Sequence, residues 1–112
     1  MRSRDVVRSL KYSSPADRNM NESWMAPTLK IEYLDGEAIV AYLTLPHPVR
    51  LKSHYVRRMG RELMVDFSRG GRPLGIEILD PPHTTLAALN RVMKRLHLAP
   101  LRGRDVAPLR AA

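Results

Sequence analysis

Two stretches of alternating apolar and polar residues, each broken near its centre by a turn, dominate the hydrophobic pattern of the chain. In Glu62–Asp80, ELMVDFSRGGRPLGIEILD, a two-residue Gly70-Gly71 turn pairs Phe67 with Leu74, Val65 with Ile76 and Leu63 with Ile78. Every pair is apolar, and Met64, Asp66, Gly75 and Glu77 fall on the opposite face. A slip of one residue sets apolar against polar throughout, so the pattern predicts one register. In Thr28–Leu45 the Asp35-Gly36 turn predicts a second hairpin, pairing Tyr33 with Ala38, Ile31 with Val40 and Leu29 with Tyr42. Its second strand carries Ile39, Ala41, Leu43 and Leu45 on the other face, and so reads as apolar on both.

Pro46 and Pro48 close that strand, because neither can donate to a ladder. Val49–Met59 then alternates at its start, predicting a strand with Arg50, Lys52 and His54 on a solvent-facing side. Arg57, Arg58 and Arg61 prolong the basic run past Gly60, the expected turn into the next strand. Asp80-Pro81-Pro82 ends the sheet, with Asp80, Thr84 and Thr85 as alternative helix caps. Leu86, Leu89, Met93 and Leu96 recur at helical spacing beside Val92, and Pro100 marks the stop. The expected fold is α+β, an antiparallel β-meander of four to five strands with one C-terminal amphipathic helix packed on a face. Residues 29–98 form its single domain. Residues 1–28 are expected to be a flexible arm with Trp24 resting on the domain, and residues 99–112 a flexible tail. Met20 and Met25 are alternative starts to Met1.

The central hairpin, VDFSRGGRPLGIEIL, resembles the closing signature of domain-of-unknown-function family 2283, a family of small bacterial domains. KIEYLDGEAIVAYLTL is similar to its opening segment, and the two together span about residues 30–80. The chain departs from the family at Ser68-Arg69-Gly70-Gly71, where an acidic turn is usual, and adds the helix and both tails. The resemblance implies a small sheet-based fold and brings no activity, cofactor or catalytic residue.

Composition narrows the chemistry. The chain has 112 residues, one Trp and one Phe, so Leu, Ile, Val and Met must fill the core. The absence of cysteine removes disulfides and thiolate chemistry and fits a reducing, cytoplasmic setting. No apolar run has the length of a membrane span, and Arg2 and Arg4 precede no apolar core of a secretory signal. Net charge is +8 and spread along the chain, with +2 over residues 1–28, +4 over 29–98 and +2 over 99–112.

Four groups of residues are candidate sites. Asp66 and Glu77 are diagonal neighbours on one hairpin face, where paired carboxylates can do acid–base work; backbone donors or Arg57, Arg58 or Arg72 are their ordinary partners. His47, His54, His83 and His97 show no helical metal-pair spacing, so neither a metal nor a cofactor is expected. Arg69 and Arg72 flank Gly70-Gly71, but no helix follows as in a phosphate loop, and a tight turn is the simpler reading. Arg50, Lys52, Arg57, Arg58 and Arg61 are the candidate polyanion-binding set, weighed against a solvated edge strand guarded by cations. One helix covers only part of a sheet face, so Ile39, Ala41, Leu43 and Leu45 are the candidate oligomer face. The leading expectation is therefore a non-enzymatic, self-associating interaction or regulatory module, a homodimer. The alternative is a nucleic-acid-binding accessory protein, a small regulator or antitoxin-like partner, using the basic strand 50–61. Catalysis by Asp66 and Glu77 is a formal third.

Overall fold

The computed structural model describes residues 4–9 and 22–110. Five strands form an antiparallel sheet: β2 (Thr28–Leu34), β3 (Glu37–Thr44), β4 (Tyr55–Gly60), β5 (Leu63–Phe67) and β6 (Pro73–Ile78). A sixth, β1 (Arg4–Ser9), pairs with β2, and the order across the sheet is β1-β2-β3-β6-β5-β4. Helices α1 (Leu86–Arg95) and α2 (Ala107–Arg110) follow, with 3-10 turns at Pro81–His83 and Gly103–Val106.

This order corrects the expected meander. β3 lies beside β6, and β4 sits at the far edge, an arrangement of the Greek-key kind. Pro46 and Pro48 stop β3 from turning back on itself, so the chain between β3 and β4 passes to the other side of the hairpin pair. Segment 22–25 holds that crossover down. Met25 N donates to His47 O and Val49 N to Ser23 O, both at 2.8 Å. Trp24 bridges to Pro48, Arg50 pairs with Glu22, and the Arg72 guanidinium lies 4.8 Å over the Trp24 ring. Residues 22–28 are thus a strap rather than a loose arm. Of the rest of the expected arm, residues 4–9 form β1 against β2 rather than a loose segment, and residues 1–3 and 10–21 lie outside the described residues. The predicted strand from Val49 is also shorter than expected: Val49 and Arg50 form a turn, and the ladder begins at Tyr55.

The central hairpin keeps its expected register in the middle: Leu63 faces Ile78, Met64 Glu77, Val65 Ile76 and Asp66 Gly75. Its tip differs by two compensating steps. The loop has three residues, Arg69 to Gly71, closed by Ser68 N to Arg72 O and Gly71 N to Ser68 O, with Gly71 at φ 92. Phe67 therefore faces Pro73, and Leu74 is an extra, bulged residue that restores the register.

The first hairpin turns at Asp35 and Gly36, φ 53 and 83, and pairs Tyr33 with Ala38 as expected. Ile39 is then bulged, and beyond it the register moves by one: Glu32 faces Val40, Ile31 Ala41 and Leu29 Leu43. That shift puts Leu29, Ile31, Ala41 and Leu43 on one buried face. Leu43 is 0% and Leu45 2% exposed, so Ala41, Leu43 and Leu45 are core, and the candidate oligomer face is reduced to Ile39, 44% exposed.

The cover over this face has two parts. Leu89, Val92 and Met93 of α1 enter the same core as Leu63, Val65, Ile76 and Ile78. The expected flexible tail supplies the second part, since Leu101, Val106 and Leu109 are buried in that core. Asn90 pins this segment with two bonds, Nδ2 to Leu101 O at 3.0 Å and Leu101 N to Oδ1 at 2.6 Å. Helix α1 is capped by Thr85, whose hydroxyl accepts from Ala88 N. It ends in a Schellman arrangement, Leu98 N to Met93 O and His97 N to Lys94 O, with His97 at φ 61 where glycine is usual.

Candidate binding surface

The opposite sheet face has no helix over it among the described residues. Ladder pairing lines up Lys30, Tyr42, Glu77, Met64 and Arg58 in one row, and Thr44, Gly75, Asp66 and Val56 in the next. Tyr42 lies diagonally across Gly75, and its hydroxyl donates to Asp66 Oδ2 at 2.7 Å. A Cβ at position 75 would overlap the Tyr42 hydroxyl and ring, so glycine leaves the room that the tyrosine fills. Burial first, then the bond to Asp66 and the charges of Asp66 and Glu77, push the Tyr42 hydroxyl above its ordinary range. Asp66 and Glu77 are thus on one face, as expected, with Asp66 accepting from a tyrosine rather than from Arg57, Arg58 or Arg72. A hollow of about 260 Å3 lies between Tyr42, Glu77, Val40 and β2, open to solvent. The arrangement is a hydrogen-bonded brace between β3 and β5.

The histidines are dispersed. His47 is buried with Nδ1 2.8 Å from Leu45 O, and His83 Nδ1 lies 3.1 Å from Asp80 Oδ1 at the helix approach. Among the described residues, no three His, Asp or Glu side chains gather as they would around a metal ion.

The cationic set is divided by the fold. Arg50 is paired with Glu22 on the strap, and Lys52 is exposed in the loop before β4. Strand alternation sends Arg57 and Arg58 to opposite faces: Arg57 faces Val65 on the helix side, and Arg58 faces Met64 on the open side. Arg61 lies in the β4–β5 turn, whose positive φ is taken by Glu62 at 58 rather than by Gly60.

The helix contributes what the linear reading missed. Arg95 Nη1 donates to Met59 O at 2.9 Å, and Val92 packs towards Gly60. This brings Arg95 to β4 at Met59, two residues along the chain from both Arg57 and Arg61, with Arg91 and Lys94 exposed on the same helix. The signal was present as the cations lying off the apolar stripe of α1, but nothing in the linear pattern says which strand they join. Along the helix side of β4 the surface therefore runs from the hairpin tip with Arg69, past Tyr55 and Arg57, to Arg61 and Arg95. Tyr55 stacks on Phe67, ring centroids 5.0 Å apart and planes 12° apart.

Comparison of the chain with protein-family models, with curated proteins and with solved structures finds no match. No helix among the described residues is long and apolar enough to cross a membrane.

Proposed function

We propose that this protein is a non-enzymatic binding module that takes a nucleic-acid phosphate backbone along the surface made by β4 and α1. The observation that carries this reading is the Arg95–Met59 hydrogen bond, which joins two cationic segments free of acidic residues. Residues 38–61, which bring Arg57 and Arg61 to this surface, hold no Asp or Glu, and neither do residues 81–104, which bring Arg91, Lys94 and Arg95. A cationic surface on a rigid sheet edge suits phosphate contacts, which supply sequence-independent affinity. The same cations guard the edge strand against pairing with another sheet, and the two roles are compatible. Self-association loses its main support, because the apolar row that would have needed a partner is covered within the chain.

The experiment is binding of labelled random-sequence DNA and RNA across a salt series. Affinity should fall linearly in log–log form as salt rises. Arg57→Glu with Arg61→Glu should weaken binding at least about tenfold and flatten the slope by about 1–2. Arg58→Glu, on the other face, changes net charge but should leave binding within about twofold, which separates a surface from bulk charge. Absence of binding at about 50 mM salt, or equal losses in the Arg57/Arg61 and Arg58 variants, would refute the assignment.

A further inference from the structure

We infer that the nucleic acid taken by β4 is single-stranded, with an unpaired base stacked on Tyr55. This rests on the phosphate-binding reading of the β4–α1 surface and adds to it the form of the ligand. Tyr55 is the first residue of β4 and shares the helix-side face with Arg57, two positions along the strand. Phe67 backs one face of its ring at 5.0 Å, and His54 meets it edge-on at 6.2 Å. The ring is fixed by these neighbours, yet the residue is 38% exposed. An aromatic ring held flat on a buried neighbour and left open on its outer side is a platform that loses little freedom when a base settles on it.

The surroundings match a strand rather than a duplex. Cations lie on both sides of the platform along the strand, Arg69 in the hairpin tip and Arg57 and Arg61 beyond. The hairpin tip stays close, since the Tyr55 hydroxyl lies 3.9 Å from where a Cβ at Gly71 would stand. A duplex presents phosphates outward and keeps its bases stacked on one another, so it can use the cations but not the ring. A single strand can use both, alternating phosphate with base.

The test compares three probes at one salt concentration: a short labelled oligodeoxynucleotide, an abasic oligodeoxynucleotide of the same length, and the corresponding duplex. The base-bearing single strand should bind most tightly. Tyr55→Leu, which keeps an apolar cover over Phe67, should cost about 5- to 150-fold on that probe, while Tyr55→Phe stays close to the wild type. Neither variant should alter binding of the abasic strand. Folding of each variant is read from the emission of Trp24, the only tryptophan. If the abasic strand or the duplex binds as tightly as the base-bearing strand, or if Tyr55→Leu costs nothing, the stacking inference is wrong while phosphate binding stands. If none of the three probes binds, both readings fall together.

Discussion

Tyr42 reaches Asp66 only because residue 75 has no side chain, so three residues on three strands act as one unit. Gly75→Ala should cost about 1–3 kcal/mol from overpacking, with a further 0.5–1.5 kcal/mol, roughly, if the Tyr42–Asp66 bond is lost. In a Tyr42→Ala background the same substitution should cost little, because the clashing ring is gone. A double-mutant cycle by urea unfolding measures this, and additive losses would contradict the geometry. The raised Tyr42 hydroxyl also carries a pH signature. Its unfolded value is 10.0, and above that pH the folded chain holds a proton that the unfolded chain releases. Stability from this group is therefore full below about pH 10 and is lost as pH rises towards the folded value. Tyr42→Phe should be less stable at neutral pH by about 0.5–1.5 kcal/mol. It should also lose stability less steeply above pH 10, by up to about 1.4 kcal/mol per pH unit. Parallel alkaline limbs for the two proteins in urea titrations would show that Tyr42 is not the group responsible.

At the scale of elements, legibility followed how local the signal was. The middle of the central hairpin was readable because Leu63 and Val65 meet the apolar Ile78 and Ile76 across a single local turn. The bulges at Ile39 and Leu74 were not, because an extra residue leaves the apolar count unchanged and merely moves it. The Ile39 bulge mattered most: it turned a supposed subunit face into core. The C-terminal segment was misread for a different reason. Leu101, Val106 and Leu109 are too few for a sustained helical period, with only Val106 and Leu109 one turn apart, and the partner surface makes them core. Burying them contributes about 1.5–3 kcal/mol each, offset in part by the entropy of ordering the segment. Ending the chain after Pro100 should therefore lose at least about 2 kcal/mol in urea unfolding and raise binding of a hydrophobic dye. A truncated chain as stable as the whole would mean that α1 suffices as cover.

Across the whole molecule, charge was readable as a sum and unreadable as a shape. The spread of +8 along the chain concealed that Arg57 and Arg58 part company and that Arg95 joins Arg57 and Arg61. The placing of β3 beside β6 concealed itself in the same way, and it has a consequence for synthesis. Ala41 pairs with Ile78, a separation of 78 − 41 = 37 residues. At about 5–20 residues per second, β3 waits roughly 2–7 s before its ladder partner has even been made. The cover from Leu101 to Leu109 is made later still. During that interval Leu43 and Leu45 belong to a nascent chain with an unfilled groove beside them, which is the state in which aggregation or capture by a chaperone competes with folding. The Pro46–Pro48 crossover thus sets a delay on the ribosome, and slowing translation between codons 46 and 78 would lengthen the most vulnerable moment in the life of this chain.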